Sequence, residues 1–175
     1  RQYLMRLWAG WREDDAVDYS IQTLSEEKSR PGGIEVVYAE EGDKSPLRLR
    51  RGLRLIPELR DLALKLRAAG VDVWIVDDVP QPVLAASAAD YGIDPSRVSG
   101  VRAGPDGTRL SASVLKPVPT RSGKAEIVKA SGGRPADLVI GRDSADAYLM
   151  AYGDGLRIVL TGDKVALIAP QGMVT

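Results

Sequence analysis

Gly70-Val71-Asp72-Val73-Trp74-Ile75-Val76-Asp77-Asp78-Val79-Pro80 is the stretch on which the fold turns. A glycine closes a helix, Val71 to Val76 runs apolar enough for a buried strand, and two carboxylates follow. Ligands of open parallel sheets gather outside the carboxyl ends of the strands. Asp77 and Asp78 are therefore the first candidate site residues.

On the amino-terminal side, Leu59, Leu62, Ala63 and Leu66 fall at helical spacing, with Pro57 in the first turn and Gly70 as the stop. On the other side, Pro80 and Pro82 open an alanine-rich helix that runs through Tyr91 to Gly92. A strand over Val98 to Ala103 follows, then the turn Gly104-Pro105-Asp106-Gly107 and an antiparallel partner over Thr108 to Val114. Beyond Pro117 and Pro119, Gly123-Lys124 starts a helix that reaches about Ala130. Asp137 to Ile140 reads as a buried strand that ends at Gly141-Arg142-Asp143-Ser144-Ala145-Asp146. A helix over Ala147 to Tyr152, a last parallel strand over Leu156 to Leu160, and Thr161-Gly162-Asp163 complete the series. Strands alternating with helices, with polar residues at the strand ends, predict a doubly wound α/β sheet.

The first fifty or so residues lack this rhythm. Tyr3, Leu4, Leu7, Trp8 and Trp11 form one helical stripe, with the tryptophans expected to pack rather than to line a pocket. Asp14 to Glu27 predicts a second helix, broken at Arg30-Pro31-Gly32-Gly33. Ile34 to Ala39 and the charged loop after it suit a hairpin or a linker, and Arg48-Leu49-Arg50-Arg51 reads as a solvated basic cluster.

Composition narrows the chemistry. The 175 residues suit one domain with a small insertion, and they contain neither cysteine nor histidine. Disulfides, thiol nucleophiles and histidine-based triads are thereby excluded. Lysine plus arginine balances aspartate plus glutamate at 24 each, so no global field draws nucleic acid or an acidic membrane. No apolar run approaches the ~20 residues of a membrane span, and a cytoplasmic location is expected. Neither GxGxxG nor GxxxxGK(S/T) occurs, which places a nucleotide-binding domain last among the alternatives.

Gly52-Leu53-Arg54-Leu55-Ile56-Pro57-Glu58-Leu59, Val73-Trp74-Ile75-Val76, Tyr91-Gly92-Ile93-Asp94-Pro95-Ser96-Arg97-Val98, Gly123-Lys124 and Gly141 to Asp146 follow one another in a telling order. In order and spacing this series resembles the haloacid dehalogenase superfamily, in its phosphoserine and phosphorylcholine phosphatase-like branch. The resemblance implies a Rossmann-like core with a mainly parallel sheet and helices on both faces over residues 52–175. Residues 1–51 would be a small helical cap or insertion. It also implies an aspartyl-phosphate mechanism. In the family a DxDx(T/V) aspartate on the first strand attacks the phosphoryl group, a Ser or Thr and a Lys hold it, and an acidic motif binds magnesium.

Set beside that pattern, Lys124 matches the phosphate-binding lysine and Asp146 the second acidic residue of the metal motif. Asp77 stands where the family has Ser or Thr, and Arg142 where it has the first acidic residue. A slip of one residue would make Asp143 and Asp146 the metal ligands. No DxDx(T/V) follows a buried strand anywhere; Asp14-Asp15 lacks a preceding strand, and Asp78 is followed by Val79. Asp78 reads equally well as a helix cap, Asp143 as a cap, and Asp163 either as a cap or as a peripheral site residue. The expectation is a catalytically degenerate domain with no cofactor, in which Asp77 and Arg142 form an ion pair across the vacated site. It would serve binding or interaction, with a protein partner possible. The alternative is a magnesium-dependent phosphomonoester hydrolase, acting on a small phosphorylated molecule, whose nucleophile lies on a segment outside the chain.

The resemblance places the family's first strand between the strands ending at Ile140 and at Val76. Without it two sheet edges lose their partner. A segment before Arg1, a displaced Ile34 to Ala39, or direct pairing of the two edges would supply one. The start at Arg1 rather than Met favours the first.

Overall fold

The computed structural model describes residues 2–38, 40, 44–142, 144–161 and 164–168. It is an α/β structure in which short helices separate small sheets, some of them parallel.

Apolar residues at helical spacing fold as expected in the middle of the chain. Helix α2 (Pro57–Ala68) carries its proline in the first turn, and the chain leaves it through Gly70 at φ +79°. Strand β3 (Ile75–Pro80) begins four residues later than the expected start at Val71. The partner explains the difference. Strand β4 (Val98–Val101) pairs in parallel from Ile75↔Val98 onward, and before Val98 the chain is in a 3₁₀ turn, Pro95–Arg97. Asp94 caps that turn by accepting from the Ser96 amide at 2.8 Å. With no ladder partner, residues 71–74 are held by side chains instead: the Trp74 indole donates to Asp72 at 2.9 Å, and Arg97 pairs with Asp72 while lying 4.9 Å from the Trp74 ring centre.

Asp77 and Asp78 consequently lie inside β3, not after it. The register passes from Val76↔Ser99 to Pro80↔Val101, so Asp77, Asp78 and Val79 stand against Gly100 in a bulge. A Cβ on Gly100 would sit 2.6 Å from the Val79 carbonyl oxygen, so only glycine admits this approach. The chain turns at once into α3 (Gln81–Ala88), and Gln81 ties the turn to β4 by accepting from the Gly100 amide and donating to the Val98 carbonyl. Ala63, Leu84, Ala88, Ile93 and Val98 form the buried core between α2, α3 and this parallel pair, with Val73, Ile75, Val79 and Tyr91 against it.

A hairpin forms next, but not from the expected strand. Val98–Val101 is taken up by its parallel pairing with β3, and the partner of β6 (Arg109–Val114) is β5 (Ala103–Asp106), which absorbs Gly104-Pro105-Asp106 of the expected turn, so the chain reverses at Gly107-Thr108. Helix α4 (Ser122–Gly132) leads to β7 (Leu138–Gly141), then α5 (Ala147–Tyr152) to β8 (Leu156–Thr161), which runs parallel to β7 from Leu138↔Leu156. A ninth strand, β9 (Lys164–Ile168), returns antiparallel to β8, a hairpin that the sequence reading did not include. Asp163 lies outside the described residues.

Near the amino terminus a 3₁₀ turn, Gln2–Trp8, precedes α1 (Glu13–Ser29). Met5 is fully buried, and the backbone of Gly10 and Trp11 bonds that of Leu110 in β6. Trp8, Trp11 and Tyr19 pack ring against ring at 5.5 to 6.2 Å, the packing role expected of the tryptophans. Helix α1 lies on α3 through the small residues Ala16 and Ser20, with Lys28 bonded to Asp90 at 2.8 Å. Strands β1 (Gly33–Val37) and β2 (Leu47–Arg51) then form an antiparallel hairpin, so the basic cluster is its solvated second strand.

Two of the three ways of supplying a partner to the sheet edges are not realised. The stretch beginning at Ile34 is committed to β2, and β3 and β7 belong to separate sheets. Among the described residues, β3 pairs only with β4, and β7 only with β8.

Candidate functional site

Lys124 is the centre of the site. Its amino group lies 2.6 Å from Asp146 Oδ1 and 3.2 Å from Asp77 Oδ1, joining the middle of β3 to the segment after β7. Its side chain is 6% exposed, that of Asp146 15% and that of Asp77 41%. The cluster is therefore shielded from water on the Asp146 side and open to it on the Asp77 side.

Local structure aims each group. Lys124 stands in the first turn of α4, where the helix dipole opposes a cation. The preceding loop fixes it there: Thr120 bonds back to Val118, Gly123 to Thr120 and Lys124 to Arg121. A Cβ on Gly123 would meet the Val118 carbonyl oxygen at 1.8 Å, so the glycine before the lysine is a steric requirement. Asp146 is held through its other oxygen, Oδ2, which accepts from the Arg142 amide at 2.8 Å. Gly141 makes room for it, since a Cβ there would lie 2.8 Å from that of Asp146. Asp77 Oδ1 also accepts from the Asp78 amide at 2.7 Å. Burial pushes the Lys124 ammonium toward its neutral form, but the hydrogen bond to Asp146 and the charges of Asp77 and Asp146 outweigh it. The pKa of Lys124 is raised above the ordinary lysine value.

The anticipated pair of Asp77 with Arg142 does not form. Asp77 faces Lys124, and Arg142 enters the site through its backbone amide with an exposed side chain. The reason is reach: Lys124 projects from a buried helix start between the two carboxylates and neutralises Asp77 from inside. Asp78 does not cap α3 either, for the cap residue is Pro80 with no side-chain bond. Asp143, and with it the slipped reading of the metal motif, lies outside the described residues.

A magnesium ion shared by Asp77 and Asp146 does not fit these residues as they stand. The ammonium of Lys124 already holds the position between their oxygens. The arrangement is a charge-assisted hydrogen-bond cluster in which one cation satisfies two anions.

The order of the motifs indicated that Asp77, Lys124 and Asp146 belong to one site. It missed that they satisfy one another. The available signal was charge: an aspartate in place of a hydroxyl brings a second anion to a buried lysine.

Comparison with known proteins places the fold alone. No family model and no curated protein matches the sequence. A conserved functionally unknown protein from Anaerococcus prevotii DSM 20548, known from its crystal structure, superposes with a TM-score of 0.74 at 18% identity. The match covers 85% of this chain and 44% of that one, so this chain spans less than half the length of that protein.

Proposed function

We propose that this chain is a haloacid dehalogenase-like domain, with a Rossmann-like core over residues 52–175, that has lost phosphatase chemistry and acts by binding. The observation that carries this reading is the closed cluster of Lys124 with Asp77 and Asp146. An ammonium shared between two carboxylates offers an incoming phosphoryl group less net positive charge, and carboxylates that already share an ammonium attract a divalent cation less strongly. Here both effects act at one place. Asp77 adds a negative charge where an incoming phosphate dianion would need a donor. On this reading the domain takes no cofactor, works in the cytoplasm, and meets a protein partner rather than nucleic acid or membrane. No helix among the described residues is long and apolar enough to cross a membrane.

Calorimetric titration with magnesium and with tungstate tests the reading on this chain and on a variant carrying Asp77→Ser with Arg142→Asp. Neither probe is expected to bind the unaltered chain, and both are expected to gain affinity in the double variant. Tight binding of either probe by the unaltered chain overturns it.

One observation favours a second reading. Lys124 reaches Asp77 within β3 and Asp146 after β7, yet each of these strands has a single paired edge among the described residues. A strand from outside the 175 residues, inserted between them, would satisfy both edges and could carry the acid of a magnesium-dependent phosphomonoesterase. Magnesium-dependent turnover of a phosphomonoester by a longer chain, lost on Lys124→Met, would establish that alternative.

A further inference from the structure

The β1–β2 hairpin stands out because it buries almost nothing. All five residues of β1 and all but Arg51 of β2 are exposed, and Ile34, Val36, Val37, Tyr38, Leu47 and Leu49 are among the large apolar side chains left to water. A two-stranded hairpin without further packing is marginal by itself. Among the described residues its base is tied down: Arg51 bonds Glu27 of α1 at 3.0 Å, and the Gly52 amide donates to Glu27 Oε2.

The two edges left unpaired among the described residues differ in charge. Along β2, Arg48 and Arg50 guard the edge against a like strand. Along β1 the sequence Gly33-Ile34-Glu35-Val36-Val37 has one charged residue, and Glu35 is already paired with Arg51. An edge so neutralised gains nothing from a charged partner and loses nothing to its own copy.

We propose that β1 pairs antiparallel with β1 of a second copy of this chain, about a two-fold axis at Val36. The order across the joined sheet is then β2-β1-β1-β2. This register sets Val36 against Val36, Ile34 against Tyr38, and Glu35 against Val37 of the second copy. Centring on Glu35 instead would set the two glutamates face to face. With Val36 at the axis, Ile34, Val36 and Tyr38 of both copies fall on one face as a continuous apolar stripe. Arg48 and Arg50, which pair across β1 with Val36 and Ile34, border the stripe on both sides. An interface whose identical edges complement each other closes as a dimer without leaving a further edge of the same kind. The inference stands apart from the reading of the Lys124 cluster, so the two fail separately.

The absence of cysteine makes a direct test possible. In the 175-residue chain, Val36→Cys places two thiols across the axis, within disulfide reach for directly opposed strand residues. Leu49→Cys on β2 places them three strand spacings apart, about 14 Å. Mild oxidation is expected to yield a covalent dimer of the first variant and to leave the second without an intermolecular cross-link. Light scattering is expected to show a dimer of the unaltered chain that persists at high salt, and a monomer with unchanged circular dichroism for Val36→Lys. A chain that is monomeric at every concentration overturns the proposal. So does a dimer that survives Val36→Lys, or equal cross-linking of both cysteine variants.

Discussion

At the residue scale the protein is governed by how one buried cation is shared. The hydrogen bond from Lys124 to Asp146 is the shorter of its two and the better shielded from water. Asp146→Asn should therefore cost more than Asp77→Asn, by about 1–3 kcal/mol for the first, the usual penalty for a buried charge left without its partner. Urea unfolding of the two variants checks the order. The direction of the lysine shift also fixes a pH dependence. A group whose pKa is raised in the folded chain contributes stability that is complete below its unfolded value, about 10.4 for lysine. That contribution is lost as pH rises through the higher folded value. The stability difference between the unaltered chain and Lys124→Met should thus be flat from neutrality to about pH 10 and shrink above it. A difference that grows with alkalinity would contradict the cluster as described.

At the element scale, the loop before α4 does for Lys124 what the bulge in β3 does for Asp77. Both are places where a backbone passes so close that no side chain fits, at Gly123 and Gly100. Gly123→Ala must displace the Val118 carbonyl or move the start of the helix, which would swing Lys124 away from Asp146. Overpacking of this kind costs about 1–3 kcal/mol, and the variant should also lose most of the alkaline stability change assigned to Lys124. The elements themselves were largely legible. Helix α2 announced itself by Pro57, its apolar spacing and Gly70; a hairpin before Val114 was also legible, but its first strand takes in Gly104-Pro105-Asp106, which the sequence assigned to the turn. The start of β3 was not. Val71 to Trp74 has the composition of a strand, but a strand exists only where a neighbour accepts its hydrogen bonds, and the cap at Asp94 denies one until Val98.

At the scale of the whole molecule, two parallel pairs, β3 with β4 and β7 with β8, are joined through Lys124, which bonds Asp77 within β3 and Asp146 beyond β7, rather than by a shared ladder. The β1–β2 hairpin stands at the other extreme, attached by its base and exposed along its length. The alternation of strands and helices and the grouping of Asp77, Lys124 and Asp146 in one site followed from the sequence, whereas the placement of Asp77 and Asp78 at a strand end did not hold, since both lie inside β3. Periodicity, glycines and prolines are local properties, and the chain order of βα units carries the rest. The partner of each charge belonged to the tertiary structure alone. Arg142 and Lys124 are equally cationic on paper. Only the path of the backbone turns the side chain of one toward water, and its amide toward Asp146, while it buries the amino group of the other between two carboxylates.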